Sequence, residues 1–314
     1  ILYRPSDALE SEVYNTSYQR HDIENVLDIK IIKKVEKILT EKDKAIHLKY
    51  KIQNTDRSFG AMLSGTIAKR FGHLGLKDDS IVVDLEGTAG QSFGTFLAKG
   101  ITLNLIGEAN DYVGKGLCGG RITILPPKVC KFNSEQNIIV GNTVLYGAIS
   151  GECYFKGYAG ERFAVRNSGA IAVVEGTGDH CCEYMTGGIV LVLGPTGVNF
   201  AAGMSGGIGY VYDKNGDFEK KCNQSMVNLE NVSTSKFINN DNIFEKETLL
   251  ERDDLRIKIL LKRHLNYTNS LMAKKILNDF DEQIKKFVKV VPIDFEKAIK
   301  QSSNNNDSIN SRYM

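Results

Sequence analysis

GTAGQSFGTFLAKGITLNLIG (87–107) and NFAAGMSGGIG (199–209) open and close a span that holds 25 of the 30 glycines in the 314-residue chain. Between them lie short β-branched runs: ITLNLIG (101–107), RITILPP (121–127), AIAVVEG (170–176), IVLVLG (189–194) and IGYVYD (208–213). The first two begin 20 residues apart and the last three 19 apart, with NIIVGN (137–142) and ECYFKG (152–157) filling the middle less regularly. A recurrence of that length, made of short strands ended by glycine, predicts a solenoid. The fold class expected is mainly β: a parallel β-helix over 80–213, with helices flanking it at both ends.

In such a rod each coil pairs with the coils above and below, about 4.8 Å away, so about six or seven coils reach on the order of 30 Å. Alternating Val, Ile, Leu, Tyr and Ala fill its narrow inside. Three copies carry a Gly-Gly step before the strand, at Gly119-Gly120, Gly187-Gly188 and Gly206-Gly207. Glycine tolerates positive φ, so these steps are expected to turn the corners. Asn110, Asn142, Asn167 and Asn199 recur at turn positions, where an amide can pair with backbone that has left the ladder. Charge follows the same division: 18 charged residues fall in 81–212 and 60 in the other 182 residues.

Outward from the repeat, residues 1–79 read as a tether and capping helices. The first helix begins near Ile23, capped by Asp22; a strand covers 45–52; a second helix, capped by Ser58 or Asp56, ends at Gly72. Ser80–Leu85 is expected to be the first strand of the stack. After Asp213 a helical cap over 214–297 carries an Asn-rich insertion (233–242). Two helices follow, 255–265 and 268–287, the second capped by Thr268, then a short strand FVKVVP (287–292). Residues 298–314 are expected to be a disordered tail.

Net charge is +2 with acid and base interspersed, so no nucleic-acid or membrane-surface partner is implied. No apolar run approaches bilayer length. The six cysteines, Cys118, Cys130, Cys153, Cys181, Cys182 and Cys222, show neither a CxxC pair nor an extracellular disulfide pattern, which predicts reduced thiols in an intracellular, non-secreted protein. The opening at Ile1, without an initiator Met, suggests a piece of a longer polypeptide.

Three motifs invite chemistry. Gly114-Lys115-Gly116-Leu117-Cys118-Gly119 matches the G-x-G-x-x-G dinucleotide string, but a strand rather than a helix is expected after it, which is the wrong context for a pyrophosphate. Asp179-His180-Cys181-Cys182-Glu183 places potential metal ligands side by side, yet neighbours on an extended chain face opposite ways and no second pair has zinc-type spacing; His180 reads as a hydrogen-bonded turn residue. Glu161, Arg162 and Arg166 concentrate charge in a charge-poor region, facing either an anionic ligand or partner domain, or tying one coil to the next. No nucleophile, base and orienter stand together. The expectation is no catalytic, cofactor-binding or metal-binding residue in this chain.

The runs GTAGQSFGTFLAKG, NDYVGKGLCGGRITILPP, GNTVLYGAISGE, GYAGERFAVRNSGAIAVVEGTGDHCCEYMTGG and GVNFAAGMSGGIGYVYD closely resemble the C-terminal glycine-repeat domain of glutamate synthase. NTDRSFGAMLSGTIAKRFG (54–72), RHLNYTNSLMAKKIL (263–277) and FVKVVPIDF (287–295) extend the resemblance over about 50–295. It implies a right-handed parallel β-helix at the end of a large iron-sulfur flavoprotein. That enzyme hydrolyses glutamine in an amidotransferase domain and passes ammonia to an FMN site, where 2-oxoglutarate becomes glutamate with electrons from NADPH, NADH or ferredoxin. The glycine-repeat domain then holds the amidotransferase and FMN-binding synthase domains in register and is itself non-catalytic. FMN and an iron-sulfur cluster belong to the full-length enzyme, a reductase subunit or domain is a possible further partner, and the compartment is cytoplasmic or organellar (plastid-like). Cys118 stands where the family usually has Ser. Cys181 stands where it usually has Gly, so an unusual backbone or a relaxed turn is expected there. The alternative is a free-standing β-helix subunit docking onto another oxidoreductase, as glycine-repeat subunits of formylmethanofuran dehydrogenases do.

Overall fold

A computed structural model describes residues 3–9, 13–36, 39, 45–131, 133–232, 244, 250 and 252–310, with backbone alone at Glu135 and 302–310. Nine strands wind through the repeat: β1 (Ile46–Ile52), β2 (Ile81–Ala89), β3 (Ile101–Ala109), β4 (Cys118–Leu125), β5 (Ile138–Val140), β6 (Ser150–Ala159), β7 (Ser168–Thr177), β8 (Thr186–Val192) and β9 (Gly206–Tyr212). In the series β1, β2, β3, β4, β6, β7, β8, β9 each strand up to β8 pairs in parallel with the one after it, while β5 bridges β3 and β6. The result is a β-solenoid of about six turns.

The period-2 pattern sets the core. One buried column runs Leu48, Val83, Leu103, Ile122, Cys153, Ala172 and Val190 in paired register. A second runs Leu85, Leu105, Ile124, Phe155, Val174, Val192 and Val211. Side chains two apart on one strand point the same way, so each coil contributes two rungs to one dry interior.

Between the strands the chain repeats one device six times. Left-handed φ values recur at alternate residues: Ser92, Gly94 and Phe96; Tyr112, Gly114 and Gly116; Thr143, Leu145 and Gly147; Arg162, Ala164 and Arg166; His180, Cys182 and Tyr184; Asn199, Ala201 and Gly203. In the third coil the Thr143 and Gly147 N–H groups donate to the Glu161 and Val165 carbonyls of the coil that follows, and Leu145 N–H donates to Val113 O of the coil before. The turn is therefore itself a hydrogen-bonded ladder, which holds residues other than glycine in a conformation that ordinarily costs energy.

Only five of those eighteen positions are glycine, so these turns are not built on glycine alone. The Gly-Gly steps divide the work. Gly119, Gly188 and Gly207 have positive φ, whereas Gly187 and Gly206 do not. A Cβ at Gly206 would lie 2.1 Å from Thr186 O, and one at Gly187 would lie 2.3 Å from Ser168 O. Here glycine answers to the closeness of the stacked backbones. The asparagine expectation holds at Asn110, Asn142 and Asn167, which bond backbone N–H groups; Asn199 instead meets His180 and Asn223 through side chains.

At the N-terminal end α1 (Leu27–Val35) and α2 (Ala61–Phe71) pack on the stack. Neither Asp22, Asp56 nor Ser58 caps a helix. The buried Asp28 of α1 reaches across instead, accepting from Gly60 N–H at 3.0 Å and Leu63 N–H at 3.1 Å, so one helix caps the other. Burial pushes its carboxyl up, against the downward pull of those backbone donors. The first ladder strand is β1 rather than 80–85, which places part of the expected tether inside the solenoid.

At the other end β10 (Val227–Asn231) and β11 (Phe287–Pro292) close the sheet, β11 pairing antiparallel with both β9 and β10. The expected FVKVVP strand is thus present, and its reversed direction stops the parallel stack. Then α3 (Asp253–Thr268), α4 (Leu271–Asn278) and the single turn α5 (Phe280–Gln283) cover the outward faces of Tyr154, Val173, Leu191 and Tyr210. Thr268 ends α3, its hydroxyl donating to His264 O; Ser270 caps α4 by accepting from Ala273 N–H at 3.0 Å. Helix α6 (Ile293–Asn310) occupies most of the stretch expected to be disordered; 311–314 and the insertion 233–242 lie outside the described residues.

Candidate functional site

The Gly114–Gly119 string runs through a turn directly into β4, so no helix N-terminus follows it. Gly114 and Gly116 serve the turn ladder, and the Phe96 ring lies where a Cβ at Gly116 would be, 2.6 Å away.

The 179–183 segment scatters its polar atoms. Asp179 accepts from Val198 N–H at 2.8 Å, stitching its coil to the next, and His180 Nδ1 sits 3.0 Å from Asn199 Nδ2, the turn role expected of it. Cys181 and Cys182 point into the core, Sγ to Sγ 3.7 Å. Cys181 itself needs no left-handed backbone; His180 and Cys182 carry it, because the alternation falls on its neighbours. Among the described residues no group of three His, Cys, Asp or Glu side chains converges to hold a metal ion.

All six thiols are free. Burial pushes the Cys222 thiol up to about 12 and raises those of Cys153 and Cys182 as well, while Cys118 is exposed. Alkylation depends on thiolate. In the native protein at pH 8, Cys222 is therefore expected to react on the order of a thousandfold more slowly than an ordinary thiol of pKa ~8.5. Peptide-resolved iodoacetamide labelling checks this, with Cys118 labelled first.

Arg162 reaches the next coil, its Nε 3.7 Å from Glu183 Oε2, so one arginine does tie coils together. Glu161 and Arg166 project outward, and among the described residues neither side chain has an ion-pair partner.

A buried polar cluster that was not foreseen from the sequence lies at the C-terminal end. Asp253, wholly buried at the start of α3, accepts from Tyr210 OH at 2.6 Å and from Arg256 Nη1 at 3.1 Å, with Lys289 Nζ 3.2 Å from its other oxygen. Arg256 also donates to Tyr210 OH at 2.7 Å. Burial and the Asp253 charge push the Tyr210 hydroxyl well up, so it stays a donor. The sequence did hold one signal: Lys289 interrupts the apolar run of FVKVVP, where a buried cation requires a carboxylate. A second cluster surrounds buried Glu175, which accepts from Ser270 Oγ and lies 3.6 Å from His264 Nε2. Both networks fasten α3 and α4 to the solenoid, and Tyr210, Asp253, Arg256, Glu175, His264 and Ser270 are all buried away from solvent.

Comparison with known proteins agrees with this architecture. The GXGXG motif family model matches residues 28–293, reaching further upstream than the resemblance over 50–295. The chain is 49% identical over 290 residues to glutamate synthase [NADH] of Schizosaccharomyces pombe, covering 92% of this chain and 13% of that protein. It is 44% identical over 300 residues to the glutamate synthase [NADPH] large chain of Bacillus subtilis, covering 95% and 18%. It is 46% identical over 243 residues to ferredoxin-dependent glutamate synthase 2 of Synechocystis sp., covering 77% and 14%. The chain thus spans less than a fifth of the length of these relatives. It belongs to the GXGXG family, as the glycine-repeat solenoid found in the C-terminal domain of glutamate synthases.

Proposed function

We propose that this solenoid is the positioning domain of a glutamate synthase, holding an amidotransferase domain and an FMN-binding synthase domain in register while supplying no reacting group. The observation that carries the reading is where the chain's buried polar groups are used. Asp253, Arg256, Lys289, Glu175 and His264 lie between the solenoid and its helical cap, and Asp28 caps α2. Rigid stacking matters for such a role, because a misplacement of about 1 Å at a reacting centre can cost ~100-fold in rate.

FMN and an iron-sulfur cluster belong, in this reading, to the rest of the polypeptide. The Gly114–Gly119 turn leads into a strand, and the thiols are distributed between core and surface, so the residues present do not fit either group. Electrons come from a reductase partner or ferredoxin, the relatives including NADH, NADPH and ferredoxin-dependent enzymes. The compartment is intracellular, cytoplasmic or plastid-like; some relatives are chloroplastic, and no described helix is long and apolar enough to cross a membrane. The purified chain is expected to show no glutaminase or reductase activity and no bound flavin. Stoichiometric FMN in its absorbance spectrum would overturn the proposal.

A further inference from the structure

The repeated left-handed turns build a second, unpartnered face. Their third positions stack in one column: Phe96, Gly116, Gly147, Arg166, Tyr184 and Gly203. Phe96 is 56% exposed and Tyr184 57%. Each ring lies against the glycine of the next coil, where a Cβ would come within 2.6 Å at Gly116 and 2.5 Å at Gly203. The two aromatic rings are thus seated on backbone ledges instead of swinging freely in water. Between them Gly147 leaves open space, with nothing within 4 Å of a built Cβ, and Ile149 beside it is 57% exposed. Arg166 completes the column with an exposed guanidinium.

We infer that this column is the surface on which the part of the polypeptide outside this chain docks, with the two rings and Ile149 as anchors and Arg166 receiving a carboxylate. The inference rests on the positioning role and names the face that performs it. Three observations favour that occupant. Known relatives extend far beyond this domain, the chain covering 13% to 18% of their length, so a large same-chain surface is at hand. The outward faces of β6–β9 are covered by α3 and α4, whereas Phe96, Ile149 and Tyr184 at the turns are each more than half exposed. Exposed aromatic side chains and arginine, rather than lysine and glutamate, are what interface centres select. Pre-seated rings also lose little freedom on docking, so their burial is returned as affinity. The 4.8 Å coil spacing sets the length of the site at roughly 24 Å from first coil to sixth, enough for one domain face.

The test uses the full-length synthase. Single substitutions Tyr184→Cys and Ile149→Cys on the column, with Leu74→Cys and Val129→Cys as exposed controls, are read by peptide-resolved maleimide labelling. The column positions are expected to label at least about tenfold more slowly than the controls, since a docked surface opens rarely. Labelling of the column at the control rate overturns the inference, and so does protection that fades on dilution, which assigns the face to a second copy. Arg166→Glu is expected to restore labelling at Tyr184→Cys, while Arg166→Lys leaves it slow. Protected controls beside an open column would sink this choice of face and leave the positioning role standing. A shielded column that Arg166→Glu opens, with glutamate formed per glutamine consumed unchanged, would sink the positioning role and leave the docking surface standing.

Discussion

Gly169→Ala is expected to destabilise the chain by about 3 kcal/mol or more, although the substitution adds one methyl group and Gly169 has no left-handed φ. The added Cβ would stand 2.1 Å from Ile149 O and 2.9 Å from its carbonyl carbon, both backbone atoms of the preceding coil. A side chain could swing aside, but a ladder carbonyl cannot move without pulling its own strand out of register. Gly147→Ala is the matched control. Its φ is +63° and a Cβ there meets nothing within 4 Å, so only backbone strain of roughly 1 kcal/mol applies. Urea melts of the two variants rank the causes. If Gly147→Ala proves the costlier, corner geometry rather than coil spacing governs the glycines.

The second large effect is expected at Asp253. Asp253→Ala removes the carboxylate that faces Arg256 and Lys289 and accepts from Tyr210 OH, all within the interior. Removing one partner of a buried ion network costs about 3–5 kcal/mol, because the cations stay behind in a medium that solvates them poorly. Lys289→Met is expected to be much milder, since an apolar side chain of similar length removes the charge along with its need for a partner. Glu230 Oε2, 3.8 Å from Lys289 Nζ, is too far to replace Asp253 fully. The loss should be concentrated in the C-terminal cap. Hydrogen exchange is expected to rise in 253–292 before it rises in β2–β7; uniform exposure of the whole chain would contradict a cap fastened by this network.

The solenoid was legible because its strands obey a local rule: a β-branched run ended by glycine about every 19 residues forces alternate side chains inward, and register follows. Val83, Leu103 and Ile122 line up as that rule requires. The turns were not legible in the same way. Arg162, Ala164 and Arg166 look like an ordinary charged loop in sequence, and only the coils above and below supply the hydrogen bonds that hold them left-handed. The caps failed for a related reason. Asp56 and Ser58 sit where local rules place a cap, but Asp28, 32 residues from Gly60, occupies those donors from another helix. Among the sequence's charged candidates, Arg162 bridges coils while Arg166 remains outward; no spacing rule separates them, since that difference depends on where Glu183 lies in the next turn.

The claim that this domain positions, rather than performs, the chemistry is met most directly by measuring glutamine hydrolysed per glutamate formed in full-length synthase carrying Gly169→Ala or Asp253→Ala. The account predicts that glutamine hydrolysis alone and glutamate formation from free ammonia both persist, while the coupled yield falls as the solenoid loosens. Abolition of either half-reaction by a substitution that leaves the solenoid folded would contradict it.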